Sequence, residues 1–161
     1  MRPILNYSRW QGLHESRKKD PFELLDLKSR SAEWSVRHSV ARNPNSTLEI
    51  LDRLSRDTDS DVRWKVAENP NSTLEILYRL SRDPEWIVRK TVAENRNTPI
   101  ETLVALSMDQ NKVVRSTAAD RLARVKAERP ELRGRIEELE NLADLGIRGD
   151  EEALDLSGLD I

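Results

Sequence analysis

Four arginines stand at equal intervals, Arg37, Arg63, Arg89 and Arg115, each 26 residues from the next. An arginine offers a planar fork of donors that fits a carboxylate or a phosphate through two parallel hydrogen bonds. Four such forks at the spacing of packed helices, about 10 Å, would form a ladder for an acidic or phosphorylated ligand. The same ladder could instead serve the fold. Each arginine would then tie to aspartates of the preceding turn, such as Asp59 and Asp61 for Arg63, or to carbonyls at helix C-termini. Residues that recur in every repeat generally stabilise the stacking of neighbours, and this favours the structural role.

Residues that change within the same frame are better candidates for specificity. After the arginine stand His38, Trp64, Lys90 and Ser116; ahead of it stand Trp34, Ser60, Trp86 and Lys112. Exposed tryptophan beside arginine is typical of interface hot spots, although tryptophan is largely buried on average. The candidate binding set is therefore Trp34, Arg37, His38, Arg63, Trp64, Trp86, Arg89, Lys90 and Arg115. No catalytic set emerges. The five glycines form no phosphate loop, and no nucleophile stands out beside a base. With no cysteine, and only His14 and His38 as imidazoles, neither a metal nor a cofactor is expected. Most carboxylates sit at helix starts, where the helix dipole accounts for them. The Asn-Ser-Thr triplets at 45–47 and 71–73 match a glycosylation acceptor, but capping explains them without a secretion signal.

The elements that must position these residues follow from the same period. Residues 40–51, 66–77 and 92–103 are near-copies, and a fixed period of 20–50 residues signals stacked supersecondary units. In the clearest unit, Asp83-Pro84 opens a helix over 84–94, with Ile87, Val88, Val92 and Ala93 as its stripe. Asn95 ends it in the left-handed conformation that asparagine tolerates, as do Asn43 and Asn69. Thr98 then caps a second helix that runs to about Ser107, with Glu101 completing a capping box. Ser46 with Glu49, and Ser72 with Glu75, repeat that cap. The expected fold is all-α, a solenoid of about 3.5–4 two-helix repeats capped at both ends. Its expected divisions are an N-terminal cap helix over 1–19, a repeat region over 20–122, capping helices over 123–146 and an acidic tail over 147–161. The repeat region contains a half-repeat over 20–31 and repeats from 32, 58, 84 and 110. Pro130 starts the last helix, with Leu132, Ile136, Leu139 and Leu142 as its apolar edge and Gly146 as its end.

Composition narrows the function classes. The formal net charge is -2, which lacks the footprint of a nucleic-acid or anionic-membrane binder. Charge is uneven, at +4 over residues 1–42 and -7 over 131–161, so weak head-to-tail self-association is an alternative to a solvated tail. No apolar run approaches the ~20 residues of a membrane helix, and the first residues hold no apolar stretch of signal-peptide length. A cytoplasmic protein with no membrane attachment is the expectation.

The pattern VRxxVAxNPxSTLEIL, preceded by an acidic turn, resembles the leucine-rich repeat variant family, a relative in shape of HEAT-type solenoids. The resemblance covers residues 20–122. It implies alternating helices stacked into a right-handed superhelix and a role in protein interaction, and it brings no catalytic residues. An N-terminal cysteine-ligated iron–sulfur module found in the family does not carry over to a chain without cysteine. The expected function is a non-catalytic scaffold that binds a protein or peptide. A HEAT-like nucleic-acid module using Arg63, Trp64, Trp86 and Arg89, or a self-assembling structural protein, are the alternatives.

Overall fold

The computed structural model describes residues 20–146, and every regular element among them is helical. The order is α1 (Pro21–Ser29), α2 (Trp34–Ala41), α3 (Leu48–Leu54), α4 (Ser60–Glu68), α5 (Leu74–Leu80), α6 (Trp86–Glu94), α7 (Ile100–Ser107), α8 (Lys112–Glu128), a 3₁₀ turn (Pro130–Leu132) and α9 (Arg133–Asp144). The first seven helices have 7–9 residues, too short to persist alone in water. They are held by the apolar stripe each one buries. In α4 that stripe is Val62, Val66 and Ala67, and in α5 it is Ile76, Leu77 and Leu80. Helix α2 packs on α4, α4 on α6 and α6 on α8, so residues one period apart lie on neighbouring helices. Helix α9 packs on α7 through buried Ile136 and Leu139.

Helix starts differ from the sequence expectation by a residue or two. Thr47 and Thr73, not Ser46 and Ser72, cap α3 and α5 by accepting the N–H of Ile50 and Ile76 at 3.4 and 3.3 Å. Glu49, Glu75 and Glu101 therefore sit at the second helical position, where no reciprocal capping box forms. The buried hydroxyls of Ser46, Ser72 and Thr98 instead donate to the carbonyls of Val40, Val66 and Val92 at 2.6, 2.5 and 2.5 Å. Each hydroxyl thus stitches the second helix of a pair to the end of the first. Helix α6 begins at Trp86 rather than Pro84, because Asp83 is buried and accepts the N–H of Glu85 in a turn of its own.

The asparagines do not adopt the left-handed conformation; no residue other than glycine among those described has positive φ. Asn69 is extended, and its amide donates across one period to the carbonyls of Ala41 and Asn43 at 2.7 and 3.1 Å. Asn95 repeats this with Ala67 and Asn69. Asn71 and Asn97 donate in the same sense to Pro44 and Pro70. After α7 the pattern lapses. Arg121 stands where the period would place an asparagine, and α8 runs unbroken for 17 residues. Gly146 ends the last helix region at φ 76, which glycine adopts without steric cost. The expected cap helix over 1–19 and acidic tail over 147–161 lie outside the described residues.

Candidate functional site

The arginines are engaged by the fold in a way their sequence neighbourhood does not reveal. Arg37 reaches Asp57, Arg63 reaches Asp83 and Arg89 reaches Asp109, each through Nε at 2.6 Å and Nη2 at 2.8–2.9 Å. The carboxylate lies 20 residues downstream, on the turn after the next helix. Asp59 and Asp61, the partners expected for Arg63, do not take part. The remaining Nη1 edge binds two carbonyls of the preceding turn, Ser31 and Ala32 for Arg37, Asp57 and Thr58 for Arg63, and Asp83 and Pro84 for Arg89. One guanidinium therefore spans two successive turns. Asp83 shows the linkage in one residue: its carboxylate takes Arg63 while its carbonyl takes Arg89.

These pairs are largely shielded, with the Arg89 and Asp109 side chains 7% and 9% exposed. Hydrogen bonds donated to the aspartates, aided by nearby carboxylate charge, hold the guanidinium groups of Arg37, Arg63 and Arg89 above their ordinary pKa against burial. Burial pushes Asp57 and Asp109 up, but the arginine bonds, a backbone N–H and arginine charge outweigh it and leave both below the usual carboxylate value. Depressed carboxylates stabilise the fold fully above their unfolded value of about 3.9. That contribution is lost as the pH falls through the lower folded value. An acid titration followed by circular dichroism is expected to show stability level above about pH 5 and falling below about pH 4. Asp57→Asn should flatten the fall.

The row ends at Arg115. It keeps the carbonyl bonds, to Asp109 and Gln110 at 2.6 and 3.0 Å. Twenty residues on, however, stands Arg135, which pairs with Glu138 and Glu101 instead. Arg115 is exposed and has no carboxylate partner among the described residues.

A second row of ion pairs joins the odd-numbered helices. Arg53 donates to Asp26 and Ser29, and Arg79 to Asp52 and Ser55, at 2.6–2.8 Å. These arginine bonds are the largest influence on Asp26 and Asp52 and hold both below the usual carboxylate value. The arginine–aspartate–serine spacing was legible as a 26-residue repeat in this part of the chain. One period later the residues are Ala105 and Tyr78, and the row stops.

The residues that vary within the frame gather on another face. Trp34 and Trp86 open α2 and α6 and are 47% and 41% exposed. His38 lies one turn after Trp34, its ring edge-on at 6.0 Å. Lys90 lies one turn after Trp86. Trp64 of α4, between them, is half-buried against the core, with the Lys65 ammonium 3.7 Å over its ring. A shallow depression of about 230 Å³ beside it is lined by Trp64, Glu68, Ile87, Lys90, Thr91, Glu94 and Asn95. Trp34 meets His38 on α2, Trp64 and Lys90 share one depression, and the 26-residue register sets Trp34 with Trp86, and His38 with Trp64 and Lys90, at equivalent positions of the packed helices α2, α4 and α6. The structure sets Arg37, Arg63 and Arg89 apart in paired, partly or fully buried positions. Sequence reasoning missed a further apolar row, Phe22, Leu48 and Leu74, each more than half exposed near the start of an odd-numbered helix. Its signal was the same period.

No helix of the described residues is long and apolar enough to cross a membrane. Among the same residues no group of three His, Cys, Asp or Glu side chains is placed to hold a metal ion. No curated protein and no solved structure matches the chain. The stretch from Trp86 to Asn111, one full period containing α6, the turn of Asn95 and α7, matches the model of the leucine rich repeat variant family.

Proposed function

We propose that the protein is a non-catalytic interaction scaffold that binds a protein or peptide surface along the strip formed by α2, α4 and α6. The observation that carries this reading is the exposure of Trp34 and Trp86 on one strip, with His38, Trp64 and Lys90 between and beside them. Large exposed aromatics have a solvation cost in a free monomer and are favoured as interface anchors. The ladder arginines Arg37, Arg63 and Arg89 support the strip from within and are not contact residues. Arg115 is the one of the four that is exposed. The scaffold is a right-handed α-solenoid of about 3.5–4 two-helix repeats, closed at its C-terminal end by helices over 123–146. Its setting is cytoplasmic.

The test is partner capture with the wild-type chain and with Trp34→Ala/Trp86→Ala. The double variant is expected to keep its circular dichroism and lose about thirtyfold or more in affinity, the scale of a single hot spot. Partners that bind both proteins equally, or turnover of a substrate by the purified chain, would refute the reading. Steeply salt-dependent DNA binding would instead favour a nucleic-acid module.

A further inference from the structure

The second ion-pair row ends where a cleft begins. At register positions where Arg53 and Arg79 cover the odd-numbered helices, α7 has Ala105, and where Asp26 and Asp52 receive them, α5 has Tyr78 and α7 has Val104. A long cation is thus replaced by a methyl group, and a polar bridge by apolar surface. The result is a cleft of about 730 Å³ between the end of α5, α7 and α9, within the size range of ligand sites. Tyr78, Arg82, Ala105, Met108, Leu139 and Ala143 are among the residues that line it. Met108 is 47% exposed.

The identity of the occupant follows from where the chain goes. Gly146 lines the same cleft, and its φ of 76 turns the chain as α9 ends. The next fifteen residues, 147–161, carry Leu154, Leu156, Leu159 and Ile161 together with five carboxylates against a single Arg148. Leucine side chains match the apolar lining, and the carboxylates match Arg82; of the acidic residues that also line the cleft, Asp83 and Asp109 are paired with Arg63 and Arg89, and Glu101 faces Arg135 at 3.9 Å. A tether that starts at the cleft holds this segment at an effective concentration on the order of millimolar, so even weak complementarity fills the site. At roughly 3.3–3.6 Å per residue the segment spans the cleft with length to spare.

We propose that residues 147–161 dock in the cleft between α5, α7 and α9 of the same chain, occupying a groove that reads acidic, leucine-bearing sequence. The site lies apart from the tryptophan strip and stands whether or not that strip binds a partner. The cysteine-free chain gives a clean test. A nitroxide on Ser157→Cys of the full chain is expected to broaden the backbone amide signals of Val104, Ala105, Met108 and Ala143. Ala105→Arg restores the residue type that the two preceding repeats carry without loss of fold, and should abolish the broadening. Arg82→Glu should weaken it. Broadening that is absent from these amides, that maps to α2 and α6, or that survives Ala105→Arg would overturn the proposal. So would broadening of an isotope-labelled, nitroxide-free chain by an unlabelled nitroxide-bearing one, which would assign the occupant to a second copy.

Discussion

Arg63→Ala is expected to lower the unfolding free energy by about 3–5 kcal/mol, the range for removing one partner of a shielded ion pair. The Asp83 side chain is 3% exposed and would be left, among the described residues, with the Glu85 N–H as its donor. The carbonyls of Asp57 and Thr58 would lose their donor as well. The consequence reaches both neighbouring turns, because the carbonyls and the carboxylate lie on opposite sides of the arginine. Arg115→Ala provides the internal comparison. It removes the same side chain from the same register, but from an exposed position without a carboxylate, and should cost less than about 1 kcal/mol. Urea melts of the two variants decide the matter. Equal losses would mean that the ion pair, rather than being integral to the stack, contributes nothing beyond the carbonyl bonds.

Leu77→Ala should be comparably damaging, by about 2–5 kcal/mol, because Leu77 is fully buried in the central run of the core. Leu74, three residues earlier in the same helix, is 59% exposed. Leu74→Ala should change stability by less than about 0.5 kcal/mol, as surface substitutions do. Both substitutions replace leucine by alanine in α5 and alter helix propensity alike, so the difference between them isolates burial. Thermal melts with a shared baseline suffice. Similar losses in the two variants would contradict the placement of α5.

The period itself carried most of the helix content, since a repeated apolar stripe leaves little freedom in which face is buried. It did not reveal how the turns are joined. Ser46 and Thr47 are both hydroxyl residues at a helix start, and propensity cannot say which one caps; the geometry assigns Thr47 to the cap and sends Ser46 back to Val40. Asparagine at a helix end suggests a left-handed turn, but here the amide of Asn69 serves the carbonyls of the preceding repeat. Local sequence contains no trace of that partner, 26–28 residues away. The arginine partners were sought nearby for the same reason and lie 20 residues downstream. The extension of α8 was visible only as the loss of an asparagine at Arg121. For the candidate strip, the variation of residues within a fixed frame identified positions, but exposure separated them. Trp34 and Trp86 face solvent, whereas Trp64 leans into the core.

The side-chain bonds of the two arginine rows and the asparagine row close loops of 20–28 residues. Loop-closure entropy depends only on the logarithm of loop length, so each rung costs nearly the same conformational freedom as the last. None of these rungs requires the distant ends of the chain to meet. Such a contact pattern favours rapid folding. It also lets a nascent chain secure each rung soon after the second partner has been synthesised, long before the whole chain is available.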